Sequence, residues 1–280
     1  RSFWVEKQRL TEEVTISTKN HGNRRLENVD IFYKCGDSGC YIGTTDSDGL
    51  LKEKLPLCVN GFLVPHKEDY IGSPTMITTF EDKSDSVLLK LSKVKEFDLD
   101  AKKLIFTKEE TGMGLKWAHK SLSSFQPDIK LIEDDEDIFF QFTRISQDDE
   151  KFESPAMLKG SSLSSSKIRL APGNYEVKAQ LIKNSELYIP ESSGIFGIGK
   201  MNETTLSTGQ YGGLVLNEAT GLFKLSENDF ENSDTIMMYT IYFDLFSLDE
   251  KDRKHVDLSI INDIEMLSSK YRTQLKPILR

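Results

Sequence analysis

The chain has 280 residues, 38% of them hydrophobic and 29% charged, with a formal net charge of -9. An acid excess of this kind excludes a protein that displaces counterions from nucleic-acid phosphates, because that work needs clustered Lys and Arg. The hydrophobic share excludes wholesale disorder, and no stretch approaches the roughly 18 consecutive apolar residues of a membrane span. At this length two domains are the natural expectation, since a single core stops growing near about 250–300 residues. Arg1 is not an initiator Met and no signal-peptide pattern follows it, so the chain reads as an excised piece or a processed product, which leaves room for an anchor outside it.

In the first third, period-two alternation predicts strands with one buried face. Val14 and Ile16 alternate with Thr15 and Ser17. Val29, Ile31 and Tyr33 alternate with Asp30 and Phe32, and Phe62 and Val64 follow Asn60-Gly61. Turn chemistry separates these runs at Asn20-His21-Gly22-Asn23, Gly36-Asp37-Ser38-Gly39 and Asp46-Ser47-Asp48-Gly49. Short strands punctuated in this way predict a β-sandwich. Within the last turn, Asp46 is placed to accept hydrogen bonds from the turn's own amides and Gly49 to supply a positive φ. A calcium loop is the alternative for Asp46 and Asp48, although the full ligand spacing of an EF-hand is missing.

Residues from about Leu10 to Leu91 resemble the carboxypeptidase regulatory-like module, a prealbumin-like (transthyretin-like) β-sandwich. The resemblance is carried by Val14-Thr15-Ile16, by Gly22 with Leu26 to Ile31, by Gly43-Thr44-Thr45-Asp46-Ser47-Asp48-Gly49, by Lys54-Leu55-Pro56, and by Asp69-Tyr70-Ile71. It implies an accessory sandwich of the kind found in surface and secreted proteins. Two departures stand out: Asp69 occupies a position where the family usually has glycine, and Cys35, Cys40 and Cys58 are not part of its pattern.

Those three cysteines fall within one short window of the first domain. One disulfide with one free or intermolecular thiol is the favoured reading, and it implies an oxidising compartment. Spacing does not decide which pair forms. The alternatives are a tetrahedral zinc site from Cys35, Cys40, Cys58 and His66, and three buried, inert cytosolic thiols.

Beyond about Lys95 the pattern changes. Leu104 to Phe106 predicts a short strand, and Gly112 to Phe125, with Leu115, Trp117, Ala118 and Leu122, shows helical spacing. The run Glu133-Asp134-Asp135-Glu136-Asp137 lies between apolar segments and predicts a hairpin turn, with a cation-binding loop as the alternative. Strands are expected at Ile138 to Ile145, Lys167 to Leu170, Tyr175 to Ile182, Leu187 to Ile189 and Thr235 to Leu248. The Gly-, Ser-, Thr- and Asn-rich segment from Pro190 to Glu231 predicts long loops with brief strands at Leu214 to Leu216 and Leu222 to Leu225. Finally Leu258, Ile261, Ile264, Leu267, Tyr271 and Leu275 recur at helical spacing ahead of Pro277, which predicts an amphipathic helix docked on its own domain.

Catalytic chemistry finds little material. His21, His66, His119 and His255 form no metal-binding pair, and no Gly-x-Ser-x-Gly elbow is present. Gly194-Ile195-Phe196-Gly197-Ile198-Gly199-Lys200 imitates a P-loop, but Met201 stands where a Ser or Thr must hold Mg²⁺. Asn202-Glu203-Thr204 is a glycosylation sequon in an expected loop. The expected fold is mainly β: two β-sandwich (Ig-like or prealbumin-like) domains, residues 1–95 and 96–280, the second with one or two added helices. The expected function is that of a non-catalytic cell-surface or secreted structural or adhesive protein without cofactors. Its partners would be other proteins or further modules of a longer chain. One alternative is a carbohydrate-binding module using Trp117, Tyr188, Phe196 and Tyr211, for each of which core packing is the plainer reading. The other is an enzyme of unknown mechanism, with convergent acids around the Pro190 to Glu231 loops.

Overall fold

The computed structural model describes residues 5–111, 114–118, 129–145, 152–160, 166–191, 202–253 and 262–280, with backbone alone for 107–111, 114–118 and 251–252. The chain is mainly β. It divides into two units, the first Arg1–Lys95 and the second from Glu96 to Arg280 apart from the short segments Ser146–Phe152 and Leu170–Pro172, which group with the first.

The first unit contains β1 (Val14–Asn20), β2 (Asp30–Cys35), β3 (Ser38–Thr44), β4 (Leu50–Glu53), β5 (Cys58–His66), β6 (Tyr70–Gly72), β7 (Thr75–Thr79) and β8 (Asp85–Lys93). They form two four-stranded sheets in the orders β4-β1-β8-β6 and β3-β2-β5-β7. The first sheet is held by a parallel β1–β8 pair and an antiparallel β1–β4 pair. One face of each sheet is apolar, so the two faces close on one core: Val14, Ile16, Ile31, Tyr33, Leu55, Leu63, Leu89 and Leu91 are buried. This is a β-sandwich.

The polar residues inside this unit serve its turns. Thr45 Oγ1 accepts from the Val29 amide at 3.0 Å and donates to the Leu26 carbonyl, which Thr18 Oγ1 also reaches. Asp46 Oδ1 accepts from the amides of Asp48 and Leu50 at 2.9 and 2.8 Å, and Gly49 has φ +69. A side chain on Gly49 would press on the Thr18 carbonyl at 2.9 Å, so both the backbone angle and the space demand glycine. Asp48 is held by Arg25 at 2.6 Å. At the position where the family resemblance expects glycine, Asp69 has φ +58, the left-handed conformation that Asp tolerates better than most side chains.

The second unit runs β9 (Lys95–Thr111), β10 (Gly114–Ala118), β11 (Ile129–Leu131), β12 (Glu136–Ile145), β13 (Glu153–Lys159), β14 (Ser166–Leu170), β15 (Gly173–Lys183), β16 (Leu187–Ile189), β17 (Thr204–Leu206), β18 (Gly209–Leu216), β19 (Phe223–Leu225), α1 (Glu227–Asn232), β20 (Thr235–Phe243), α2 (Glu250–Arg253), α3 (Ile264–Lys270) and β21 (Ile278–Leu279). Its main sheet follows the order β10-β9-β20-β18-β15-β12-β13, while β16 and β17 form a separate ribbon. Phe142 anchors the core, with ring contacts to Tyr175 and Phe223 at 6.4 and 5.8 Å. Among the described residues no helix is long and apolar enough to cross a membrane.

Four expectations for this unit need correction. First, the stretch with helical spacing near Trp117 contains a strand: β10 pairs antiparallel with β9. Leu115 and Trp117 lie two apart, the spacing of one strand face, whereas Leu115, Ala118 and Leu122 carry the helical spacing, and the long β9 offers an edge to pair with. Residues 119–125 lie outside the described residues. Second, the acidic run does not close a hairpin, because β11 pairs with β9 whereas β12 pairs with β13 and β15. Third, the brief strands expected at Leu214 to Leu216 and Leu222 to Leu225 are present, but the first is part of a longer strand: β18 begins at Gly209 and is an interior strand of the main sheet. A Cβ on Gly212 would lie 1.9 Å from the Ile241 carbonyl oxygen, and one on Gly213 2.3 Å from that of Ala179. These glycines permit close approach of neighbouring backbones and do not mark a loop. Fourth, the C-terminal helix is shorter than its periodicity suggests. α3 ends at Lys270, with Tyr271 and Leu275 buried in the turns that follow, and Leu258 and Ile261 lie outside the described residues. The helix docks on its own unit, where Ser268 Oγ accepts from the Val215 amide at 3.1 Å.

Candidate binding surface

In the first unit the β3-β2-β5-β7 sheet carries apolar side chains on its outer face as well as on its inner one. On β2 the inward residues Ile31 and Tyr33 are buried, and the outward phase is Asp30, Phe32 and Lys34. Register carries that outward face across the sheet. Phe32 lies opposite Tyr41 on β3 and Val64 on β5; in the next row Lys34 lies opposite Phe62, and Phe62 opposite Met76 on β7. The result is an apolar belt spanning four strands, with Tyr41 50%, Phe62 41% and Met76 62% exposed. The Phe32 and Tyr41 rings meet edge to face at 5.7 Å.

The polar groups beside the belt are bound to one another. The Tyr41 hydroxyl and Thr44 Oγ1 are 2.6 Å apart, and Thr44 Oγ1 donates to Asp30 Oδ1 at 2.6 Å. At one end of β5 the register with β7 slips between Cys58 and Gly61, so Val59 and Asn60 bulge outward. Asn60 takes φ +56, and Val59, at 76%, is the most exposed large hydrophobic residue among those described. The opposite outer face of the sandwich provides an internal contrast. There the outward positions of β1, β4 and β8 include Thr15, Ser17, Lys19, Lys52 and Lys90, and Leu88 is the one apolar residue among them that is exposed.

A disulfide joins Cys35 and Cys58, with Cα atoms 6.0 Å apart, and ties β2 to β5 beside the bulge. Cys40 is free and lies opposite Tyr33 on the inner side of β3, where burial raises its thiol pKa. The zinc alternative fails on this geometry. Two of its four ligands are consumed as a disulfide, and His66 is exposed on the outward phase of β5 while the cysteines face inward.

The second unit contains a cluster of charges. Glu133, Asp135 and Glu136 bring carboxylate oxygens within 4.8 Å of one another. Two lysines from other strands supply the cations. Lys103 Nζ reaches both oxygens of Glu136 at 2.6 Å and lies 4.4 Å from the centroid of the Tyr242 ring. Lys183 Nζ reaches Glu133, Asp135 and Glu136 at 2.7, 2.8 and 3.2 Å, and Ser185 donates to Asp135. Desolvation opposes the charge of Lys183, but hydrogen bonds to Asp135 and Glu133 and the charge of Glu136 outweigh it and raise its pKa. An ammonium held this firmly protonated is no nucleophile at neutral pH. Both lysines are paired with these acids, so the cluster ties β9, β12 and β15 together.

The four aromatics predicted to contact a ligand do not converge. Tyr211 is buried, sits as the extra residue in the β15–β18 bulge, and makes a tilted ring contact with Phe246 at 5.2 Å. Tyr188 is exposed on β16 with its hydroxyl donating to Glu203 at 3.0 Å. The Trp117 side chain and all of Phe196 lie outside the described residues, as do the P-loop-like segment, His119 and His255. Asn202 is exposed. Of the residues that form the surface, Phe32, Phe62 and Val64 were expected in strands but not as a shared outer face, and Tyr41 and Met76 were not singled out. One signal marked three of them: Ile31-Phe32-Tyr33 and Phe62-Leu63-Val64 are apolar on both phases of a strand, as strands covered on both faces are.

No protein-family model matches the sequence, and no curated protein matches it. Among solved structures, the Bacillus anthracis TIE protein shows 13% identity and a TM-score of 0.27, with 82% of this chain and 34% of that one covered. The shaft pilin SpaA of Lactobacillus rhamnosus GG shows 10% identity and a TM-score of 0.26, with 82% and 97% covered. The major pilin SpaD of Corynebacterium diphtheriae shows 7% identity and a TM-score of 0.27, with the same two shares. The chain spans about a third of the length of the first. At scores of this size no property of these neighbours transfers to the chain.

Proposed function

We propose that the chain is a non-catalytic β-protein of the cell surface or the secreted space that acts by contact, and that the outer face of the β3-β2-β5-β7 sheet is its contact surface. The observation that carries this is the contrast between the two outer faces of one sandwich: Phe32, Tyr41, Phe62, Val64 and Met76 together on one side, mostly Thr, Ser and Lys with Leu50 and Leu88 on the other. A sandwich is stable with polar outer faces, and contiguous exposed apolar surface marks interaction sites. The Cys35–Cys58 disulfide supports an oxidising compartment, where Asn202 would be open to glycosylation. The Asp46–Gly49 turn and the left-handed Asp69 support membership of the first unit in the prealbumin-like, carboxypeptidase regulatory-like group.

The test uses the intact chain immobilised against an envelope extract of its source organism. Met76→Asp should abolish the specific captures while leaving the far-UV spectrum and melting temperature unchanged, and Leu88→Asp on the opposite face should leave them in place. Identical captures from both variants would refute the assignment. A second reading, a carbohydrate platform, is favoured by the outward Phe32–Tyr41 ring pair. A glycan array with hits lost on Tyr41→Ala would support it.

A further inference from the structure

We infer that the Tyr41-Phe32-Val64 row of this face, with the acid and base on either side of Phe32, is self-complementary and pairs with a second copy of the chain about a two-fold axis passing at Phe32. The inference rests on the contact reading of that face and names its occupant. Along the outward phase of β2 the order is acid, ring, base: Asp30, Phe32, Lys34. A two-fold axis in the contact plane, running across the strands at Phe32, reverses this order in the second copy. Phe32 then faces Phe32, Asp30 of each copy faces Lys34 of the other, and Tyr41 and Val64, the register neighbours of Phe32, meet their own counterparts. An isologous interface requires this kind of self-matching pattern.

Both charges are presented for such a contact. Thr44 fixes the Asp30 carboxylate on the outward side. Lys34 lays its stem across the edge strand, where a Cβ on Gly39 would come within 3.2 Å of Lys34 Cγ, and it makes no ion pair among the described residues. Other occupants fit less well. A sugar needs donors and acceptors, and the belt's Tyr41, Thr44 and Asp30 already bind one another. A foreign protein places no requirement on the antisymmetry of acid and base about Phe32. With strands about 4.8 Å apart, the face offers on the order of 400 Å² per copy, about half of a standard interface, so the dimer is expected to be weak and reversible.

Analytical ultracentrifugation of the intact chain over a concentration series tests this. The expected result is a reversible dimer that Asp30→Lys and Lys34→Asp each weaken by about tenfold or more, since each change puts two like-charge pairs into one dimer. An equimolar mixture of the two variants should regain the wild-type affinity, because one then carries base on both sides of Phe32 and the other acid. A chain monomeric up to about 1 mM, a dimer indifferent to both variants, or a mixture that fails to re-associate would each overturn the inference. If Asp30→Lys does not fold, Lys34→Glu at its exposed site and the salt dependence of the wild-type dimer decide, and no weakening in either overturns it. A monomer whose envelope captures still vanish with Met76→Asp, or one retarded by a polysaccharide in an affinity gel, overturns self-pairing alone and leaves the face a contact surface. Captures that survive Met76→Asp remove the contact reading itself.

Discussion

Replacing Lys103 by Met withdraws the cation from the most deeply buried ion pair described in the second unit while keeping most of the stem's bulk. Lys103 and Glu136 are both 0% exposed, and the ammonium lies 2.6 Å from Glu136 and 3.0 Å from Glu133. In the variant, Glu136 keeps the Glu133 amide at 2.9 Å and the Lys183 ammonium at 3.2 Å, so its charge is left short of partners but not bare. Removing one member of a buried pair costs about 3–5 kcal/mol, and the surviving contacts place this case near 3 kcal/mol. The double variant Lys103→Met/Glu136→Leu removes both charges, and apolar replacement of a whole pair is often neutral. It should therefore cost less than the sum of the two single changes by about 2 kcal/mol. Urea unfolding followed by circular dichroism gives the free energies, and amide exchange on β9 and β12 assigns the transition to this unit. A cost below about 1 kcal/mol for Lys103→Met, or strict additivity in the double variant, would refute the reasoning.

The same cluster sets an acid limit. Glu133 is held below the usual carboxylate range, first by its hydrogen bond from Lys183, and bonds from Lys183 and Ser185 lower Asp135 against its own desolvation. With folded values below unfolded ones, their stabilisation is whole above about pH 4.5 and is lost as pH falls through the depressed values; a melting temperature flat from about pH 5 to about pH 2.5 would contradict this. In the first unit, the Cys35–Cys58 bond closes a separation of 23 residues, so its reduction should cost about 3 kcal/mol in that unit's unfolding. Thiol titration in denaturant should find one group per chain before reduction and, from the three cysteines of the sequence, three after. Gly212→Ala drives a methyl to 1.9 Å from the Ile241 carbonyl and should cost about 3 kcal/mol or more, read as a lower urea midpoint for the second unit.

Local rules made the first unit legible. Val14 and Ile16 alternate with Thr15 and Ser17 because a strand buries every second residue, and the Asp46–Gly49 turn follows from one carboxylate accepting two amides. Glycine near Gly212 was misleading, because the same residue serves open loops and crowded strands, and only the distance to Ile241 separates the two uses. The acidic run showed its charge but not its partners, since Lys103 and Lys183 lie 33 and 47 residues from Glu136. The disulfide was expected in kind. Its pairing depended on the register between β2 and β5, which spacing does not encode.

The proposed contact surface was hidden for a related reason: its residues come from four strands joined by register alone, and each looks ordinary within its own strand. What marks them is redundancy. Ile31 and Tyr33 suffice to seat β2 on the core, and Leu63 seats β5, so Phe32, Phe62 and Val64 add nothing to the inside of the sandwich. Leaving such side chains in water is an aggregation liability, and soluble proteins keep contiguous patches of this kind small. Here Lys34 interrupts the belt at its middle, and the bulge at Val59 and Asn60 breaks the strand at one end. A sheet that retains apolar outer residues while also limiting their stickiness has the character of a surface covered part of the time. A weak, reversible contact therefore fits this sandwich better than a permanent one.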